Sequence, residues 1–248
     1  MSETSYNWCL SLFHQFASSG VEHVAISPGS RSTPLSIAAD STENLETSIH
    51  LDERAGSYFA LGLAKSTCKP VILICTSGTA AVNYHPAVVE AFHSGLRLIV
   101  ISADRPPELQ NRGAPQTIDQ VELFGTHVRG FFQSAVPNES TPENAITLAT
   151  NALKQSSKPF PGPVHINCPL REPLEPSDVP FSPFKVDNHL EISQETDISE
   201  LEKFLKLEKG LIVVGPMETR HSTSNQISEL SNITGWPVIA DPASSMRN

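Results

Sequence analysis

Apolar and polar positions along the chain follow two alternating periods, and this pattern predicts a repeated strand–helix order. Short runs of Val, Ile and Leu between turn residues are typical of parallel strands that helices cover on both faces. Apolar side chains three or four positions apart predict the helices between them. The predicted strands lie at 21–26, 47–51, 70–76, 96–102, 131–136 and 164–168, and the helices at 5–19, around 35–38, at 52–65, from about 80 to 93 and at 141–156.

This order predicts an α/β fold, a doubly wound and mainly parallel six-stranded sheet in residues 1–180. Eight of the twenty prolines lie in 159–183, so 171–187 is predicted to be an extended linker at the end of that domain. Residues 181–248 then add the start of a second α/β domain. Its two predicted strands, 211–216 and 236–241, cannot bury both faces of a parallel sheet. We therefore expect an incomplete middle domain and a chain that is a fragment.

Composition and charge narrow the class of protein. The chain has 248 residues, of which 39% are hydrophobic, as in a soluble globular protein. Its apolar runs are too short for a bilayer, and no secretory signal opens it, so we expect a cytoplasmic protein without a membrane partner. The net charge of −10 argues against a nucleic-acid partner. Four scattered cysteines and nine histidines without ligand spacing predict neither a disulfide framework nor a metal site.

Polar motifs follow four of the predicted strands at the point where each strand ends. Parallel strands have their carboxyl ends at one edge of the sheet, so these loops can converge on one crevice. The motifs are SPGSRS (27–32), DER (52–54), SGTA (77–80) and ADRPPE (103–108).

Each motif taken alone leaves two interpretations open. Glu53 has the properties of a first-turn carboxylate favoured by the helix dipole, and locally that role outweighs a catalytic one. Arg31 and Arg105 suit small anionic ligands but could equally be surface arginines. The SGTA turn lacks both the P-loop and the G-x-G-x-x-G patterns, so a dinucleotide site is weakly supported.

Together, in this order and spacing, the motifs resemble the N-terminal part of the 2-succinyl-5-enolpyruvyl-6-hydroxy-3-cyclohexene-1-carboxylate synthase family. These are thiamine-diphosphate enzymes of menaquinone biosynthesis. The matching stretches are SPGSRSTP (27–34), HLDERAGSYFALGLAK (50–65), TSGTA (76–80) with N-x-x-P (83–86), ADRPPE (103–108) and GAPQTIDQ (113–120).

The resemblance implies that residues 1–180 form the pyrimidine-binding domain for thiamine diphosphate. Glu53 matches the catalytic glutamate that hydrogen-bonds N1′ of the aminopyrimidine. Ser77, Gly78 and Pro28 match positions that line the cofactor. The diphosphate and Mg²⁺ would be held by a domain absent from this chain, which itself supplies no metal ligand.

The resemblance also implies two anionic substrates, 2-oxoglutarate and isochorismate. The first would be decarboxylated and its succinyl carbanion added to the second. The positions that match the substrate pocket are Ser30, Arg31, Arg105 and Gln116.

In this family the active site lies between two subunits, so we expect a homodimer or a higher homo-oligomer, and no turnover by the fragment alone. Two alternatives remain. Another thiamine-diphosphate 2-oxoacid decarboxylase or synthase would keep Glu53 but would give no reason for Arg31 and Arg105. The chain could also be a non-catalytic binding or dimerisation module.

Overall fold

The computed structural model describes residues 3–137, 140–175, 199–217, 221–244 and 246. The chain divides into two compact units, 1–190 and 191–248. The first unit contains a sheet of parallel strands: β1 (His23–Ile26), β2 (Glu46–Ile49), β3 (Val71–Cys75), β4 (Leu98–Asp104), β5 (Phe131–Gln133) and β6 (Val164–Pro169). Its strand order is β2-β1-β3-β4-β6-β5, which confirms the predicted six-stranded parallel sheet.

Helices cover both faces of this sheet, as the continuous apolar strands require. One face packs against α1 (Glu3–Ser18), α2 (Thr33–Asp40) and α6 (Pro142–Ser157), and the other against α3 (Glu53–Thr67), α4 (Thr79–Asn83) and α5 (His85–Ser94). In β3, Ile72 and Ile74 join the first core while Leu73 and Cys75 join the second. The period of two along a strand thus divides one apolar run between two layers.

The segment predicted as one helix from about 80 to 93 is divided in two at Tyr84. Pro86 stands in the first turn of α5 and has no N–H to donate to the carbonyl four residues earlier. The division places Tyr84 in the core, fully buried, at the junction of α4 and α5.

The beginning of the predicted Pro-rich linker packs on the first unit. Arg171 forms an ion pair with Glu108, Glu172 pairs with Arg31, and Leu174 contacts the first core. Residues 171–175 are therefore part of this unit and not a spacer. The rest of the predicted linker, with the domain boundary at 180/181, lies outside the described residues, and that boundary stays a prediction.

The second unit contains the predicted strand–helix–strand order. It consists of α7 (Ser199–Leu205), β7 (Ile212–Val214), α8 (His221–Thr234) and β8 (Val238–Ala240). β7 and β8 pair in parallel as a two-stranded sheet. Val213 and Ile239 are more than half exposed, because one helix cannot cover both faces of two strands. Among all described residues, no helix has the length and apolarity that crossing a bilayer demands.

Candidate active site

A turn at Ser77 and Gly78, directly after β3, is joined to the loop that follows β4. The Ser77 hydroxyl donates to the backbone carbonyl of Gln116 (3.0 Å), and Nε2 of Gln116 donates to the Ser77 carbonyl (3.1 Å). Gly78 has φ +84°, and a Cβ there would lie 2.9 Å from Cγ of Gln116. Only glycine combines that conformation with so close an approach.

Arg105 extends from the end of β4 into the same turn. Its Nη1 donates to the Ser77 hydroxyl and its Nη2 donates to the carbonyl of Pro115 (3.0 Å). Burial, and then the nearby Arg31 cation, lower the pKa of Arg105. The structure thus brings together four of the residues predicted from the motifs: Ser77, Gly78, Arg105 and Gln116.

Arg31 lies one strand away, in a 3₁₀ turn formed by residues 30–32, and is only 6% exposed. Its guanidinium donates to the Leu170 carbonyl (2.9 Å) and pairs with Glu172 (3.0 Å). Its buried Nε has no hydrogen-bond partner among the described residues. The predicted residues Pro28 and Ser30 are both exposed: Pro28 lies in the loop before this turn, and Ser30 is the first residue of the turn. Arg31 therefore contacts residues 170 and 172, at the start of the segment predicted to be a linker, and forms no hydrogen bond with Ser77.

The loop after β1 and the turn after β3 pack edge to edge. The buried Tyr84 hydroxyl lies 2.9 Å from the Ser27 hydroxyl and 2.8 Å from the Ile74 carbonyl, linking both strand ends. A Cβ added to Gly29 would lie 2.5 Å from Cβ of Thr76. Because β1 and β3 are where the strand order reverses direction, these contacts lie at the switch point of the sheet, where α/β proteins place ligands.

Glu53 opens α3 at the same edge. Asp52 caps this helix by accepting from the Ala55 N–H (2.7 Å), which leaves Glu53 in the first turn. Glu53 is half-buried, and its Oε2 lies 3.5 Å from Nδ2 of Asn83. Burial, and second the charge of Glu53, raise the pKa of Cys75 at the end of β3. Glu53 therefore stands close to the strand that leads into the Ser77–Gly78 turn.

Sequence reasoning missed a buried polar group behind this turn. Asp104, Gln120 and Asn167 are at most 2% exposed and are joined by hydrogen bonds to one another or to the turn. Burial raises the pKa of Asp104. Hydrogen bonds from Asn167 and from the Arg105 N–H lower this pKa, but their effect is smaller than that of burial. Asp104 and Gln120 belong to motifs already noted, ADRPPE and GAPQTIDQ, but nothing in the local pattern showed that they point inward. No group of three or more His, Cys, Asp or Glu side chains in the described ranges could hold a metal ion.

Comparison with known proteins identifies the type of domain. Residues 11–123 match the N-terminal thiamine pyrophosphate-binding domain of thiamine pyrophosphate enzymes. The 2-succinyl-5-enolpyruvyl-6-hydroxy-3-cyclohexene-1-carboxylate synthase of Bacillus velezensis is 44% identical over 96% of this chain, and that of Haloquadratum walsbyi is 41% identical over 97%. The chain belongs to this synthase family. It matches the N-terminal part of the synthases and spans 43% and 42% of the length of these two relatives.

The synthase family match confirms the predicted family and the thiamine-diphosphate-binding type of domain. A solved benzoylformate decarboxylase from Polynucleobacter necessarius superposes with a TM-score of 0.73 at 20% identity, covering 95% of this chain and 43% of its own. That likeness confirms the fold class. The roles assigned to Glu53, Pro28, Ser30, Arg31, Ser77, Gly78, Arg105 and Gln116 stay predictions.

Proposed function

We propose that the whole protein is a thiamine-diphosphate-dependent transferase that decarboxylates 2-oxoglutarate and joins the resulting succinyl unit to isochorismate. The observation that carries this proposal is the convergence of Arg105 and Gln116 on the Ser77–Gly78 turn, at the sheet edge where Glu53 begins its helix. The name of the similar synthases supports the product of that reaction.

The residues at this edge fit the aminopyrimidine end of the cofactor. Glu53 offers a half-buried carboxyl group beside Asn83, suited to sharing a proton with ring nitrogen N1′. Gly78, whose missing side chain leaves room for Gln116, keeps the backbone of the turn close to the 113–120 loop at this edge. Ser77 and Pro28 complete this side. When bound, thiamine diphosphate supplies the carbanion chemistry, and the protein supplies orientation and proton control.

Two arginines suit substrates that carry carboxylates. Two N–H groups of Arg105 donate to Ser77 and Pro115, and a guanidinium has five in total. The remaining donors are available to a carboxylate, which a guanidinium binds bidentately. Arg31, Ser30 and Gln116 extend this anion-binding edge. The net charge of −10 argues against nucleic acid as a partner of this enzyme, which we place in the cytoplasm, and two isolated arginines suit small anions better than a polymer.

A second copy of the protein would complete the site. Along α3, Ala55, Tyr58, Phe59 and Gly62 are exposed at the spacing of one helix face. Leu51, just before this helix, is 88% exposed. Apolar side chains grouped beside Glu53 are typical of a subunit interface. We propose that the homodimer buries this face, and that Mg²⁺ and the diphosphate are held outside this chain.

Changing Glu53→Gln in the whole protein tests the catalytic role. We expect turnover to fall by about 10²–10⁴-fold, because a positioned acid–base group is lost. Asp52→Asn is the matched control: it also turns an acid into an amide, and asparagine caps a helix as well as aspartate does. Near-normal turnover by Glu53→Gln would refute the mechanism.

Substrate choice is tested separately. The proposed synthase consumes 2-oxoglutarate only together with isochorismate to form the coupled product. Turnover of pyruvate alone, without that product, would identify a different thiamine-diphosphate decarboxylase or synthase. Isothermal titration of this chain alone with thiamine diphosphate and Mg²⁺ should show weak or no binding, because half of the site lies elsewhere.

A further inference from the structure

A buried amide, Gln120, connects the Ser77–Gly78 turn to the centre of the sheet. Gln120 is 1% exposed. Its Oε1 accepts the backbone N–H of Gly78 (2.8 Å), and its Nε2 donates to Oδ1 of Asn167 (2.8 Å) and to the Ala103 carbonyl (3.1 Å). The orientation of this amide is determined by its partners, because an N–H faces its oxygen and three oxygens face its nitrogen, the third being that of the Ser102 hydroxyl (3.3 Å).

Asn167, on β6, is held from three further sides. Its Oδ1 also accepts from the Ser102 hydroxyl (2.9 Å), and its Nδ2 donates to Oδ2 of Asp104 (2.8 Å) and to Oε1 of Gln133 (3.0 Å). β4 and β6 are paired strands, so Asn167 and Ala103 form a rigid base for Gln120. Every side-chain polar atom of Gln120 and Asn167 is hydrogen-bonded, and a buried network satisfied in this way specifies one arrangement of these two amides.

The hydrogen-bond partner of the Gln120 oxygen is the backbone N–H of Gly78, and the direction of this N–H sets the direction of the turn. The Gly78 N–H lies at the start of α4, where the backbone N–H groups have no partner within the helix. Gly78 also has a left-handed φ, so its peptide can rotate more freely than most. Its bond to Gln120 removes that freedom and sets the direction of the turn.

We propose that Gln120 is a positioning residue that aligns the Ser77–Gly78 turn, and through it Arg105 and Gln116, with the sheet edge that receives the cofactor. This inference rests on the proposed function for the importance of the turn, but the alignment itself can be measured without any cofactor. The Ser77–Gln116 bonds link the turn to the loop, and Gln120 links both to β4 and β6.

The test compares Gln120→Met with Gln133→Met. Both remove an amide that contacts Asn167, but only the first removes the acceptor of the Gly78 N–H, so the second controls for general loosening of the network. Methionine preserves the length of the side chain. Hydrogen exchange at the Gly78 amide, followed by NMR on this chain, should accelerate at least tenfold in Gln120→Met and less than twofold in Gln133→Met. Unchanged exchange in Gln120→Met, or equal acceleration in both, would overturn the proposal.

The second measurement is the dissociation constant for thiamine diphosphate with Mg²⁺ in the whole protein, at a temperature where both variants are folded. We expect it to rise at least tenfold in Gln120→Met and to stay within twofold in Gln133→Met. Equal constants for Gln120→Met and the parent would refute the positioning role. If the parent itself binds no thiamine diphosphate, the proposed function fails, while the exchange rates still decide whether Gln120 aligns the turn.

Discussion

The contact between Gly29 and Thr76 offers a sharp test of how the two site loops are held together. Gly29 has an extended backbone, φ −174° and ψ 153°, which alanine adopts without strain. A methyl group there would lie 2.5 Å from Cβ and 2.6 Å from Cγ2 of Thr76, whose side chain is buried. The cost of Gly29→Ala is therefore steric, and it falls on the contact between the loop after β1 and the turn after β3.

The size of the effect follows from these distances. The two carbons must separate from 2.5 Å to the 3.4 Å at which ordinary contact begins. Overpacking of this kind costs about 1–3 kcal/mol. At roughly 2–4 °C per kcal/mol for a domain of this size, the melting temperature should fall by about 2–12 °C. Because Thr76 directly follows a central strand, we expect the 27–32 loop to be the part that moves, and Arg31 to move with it.

Thermal unfolding followed by circular dichroism measures this change, and a second substitution tests its cause. Thr76→Gly removes all three atoms that the new methyl group would meet, so Gly29→Ala should cost at least 1 kcal/mol less in that background. Thr76→Ala keeps the nearest atom, Cβ, and should not rescue. If Gly29→Ala melts with the parent, or if both Thr76 variants rescue equally, the close approach is not what joins the loops.

Three further substitutions test other parts of the structure. Gly62→Gln should stabilise α3 by about 0.5 kcal/mol, because glycine is a poor helix former and an added Cβ meets nothing within 4 Å. It should nevertheless weaken self-association of the whole protein at least tenfold in sedimentation, unlike Asn151→Gln on α6; unchanged association would exclude the α3 face as the interface. Burial lowers the pKa of His165 from 6.5 to about 3, so the folded state loses stability as pH falls through this range, by up to about 1.4 kcal/mol per unit. His165→Gln should reduce that slope in urea unfolding between pH 6.5 and 4.5, and an equal slope in both proteins would contradict it. Cys68 follows the last turn of α3 with a left-handed φ of 58°, which glycine adopts without strain. Cys68→Gly should therefore raise the free energy of unfolding by about 0.5–1 kcal/mol, after subtraction of the greater freedom of glycine in the unfolded chain. A lower melting temperature would count against this account.

Local patterns were sufficient for the six strands of the first unit, for most helices and for the edge on which the candidate site lies, but not for the division between α4 and α5. A strand such as β3 is buried on both faces, so its apolar run is continuous and visible in the sequence. Asp52 and Glu53 begin α3 as their capping chemistry predicts. Motifs placed after parallel strands meet at one edge because the chain direction is the same in every strand.

The same patterns could not show which side chains contact one another. The bond from Gly78 to Gln120 spans 42 positions, and that from Arg31 to Glu172 spans 141. Arg31 stays a predicted substrate-binding residue, and its hydrogen bonds to Leu170 and Glu172 were not visible in any local pattern. Its direction depends on where the chain returns after β6, and no local period encodes that path.

The amino-acid sequence by itself thus determined the strands, most helix limits, the family and the identity of the strand-end motifs, because these depend on neighbours within a few positions. Only the tertiary structure decided that β4 lies between β3 and β6, and therefore that Gln120 can join Gly78 to Asn167. Such a bridge arises from strand order, a property of the whole sheet. Hydrogen bonds between distant residues form only after that order brings their atoms within about 3 Å of each other.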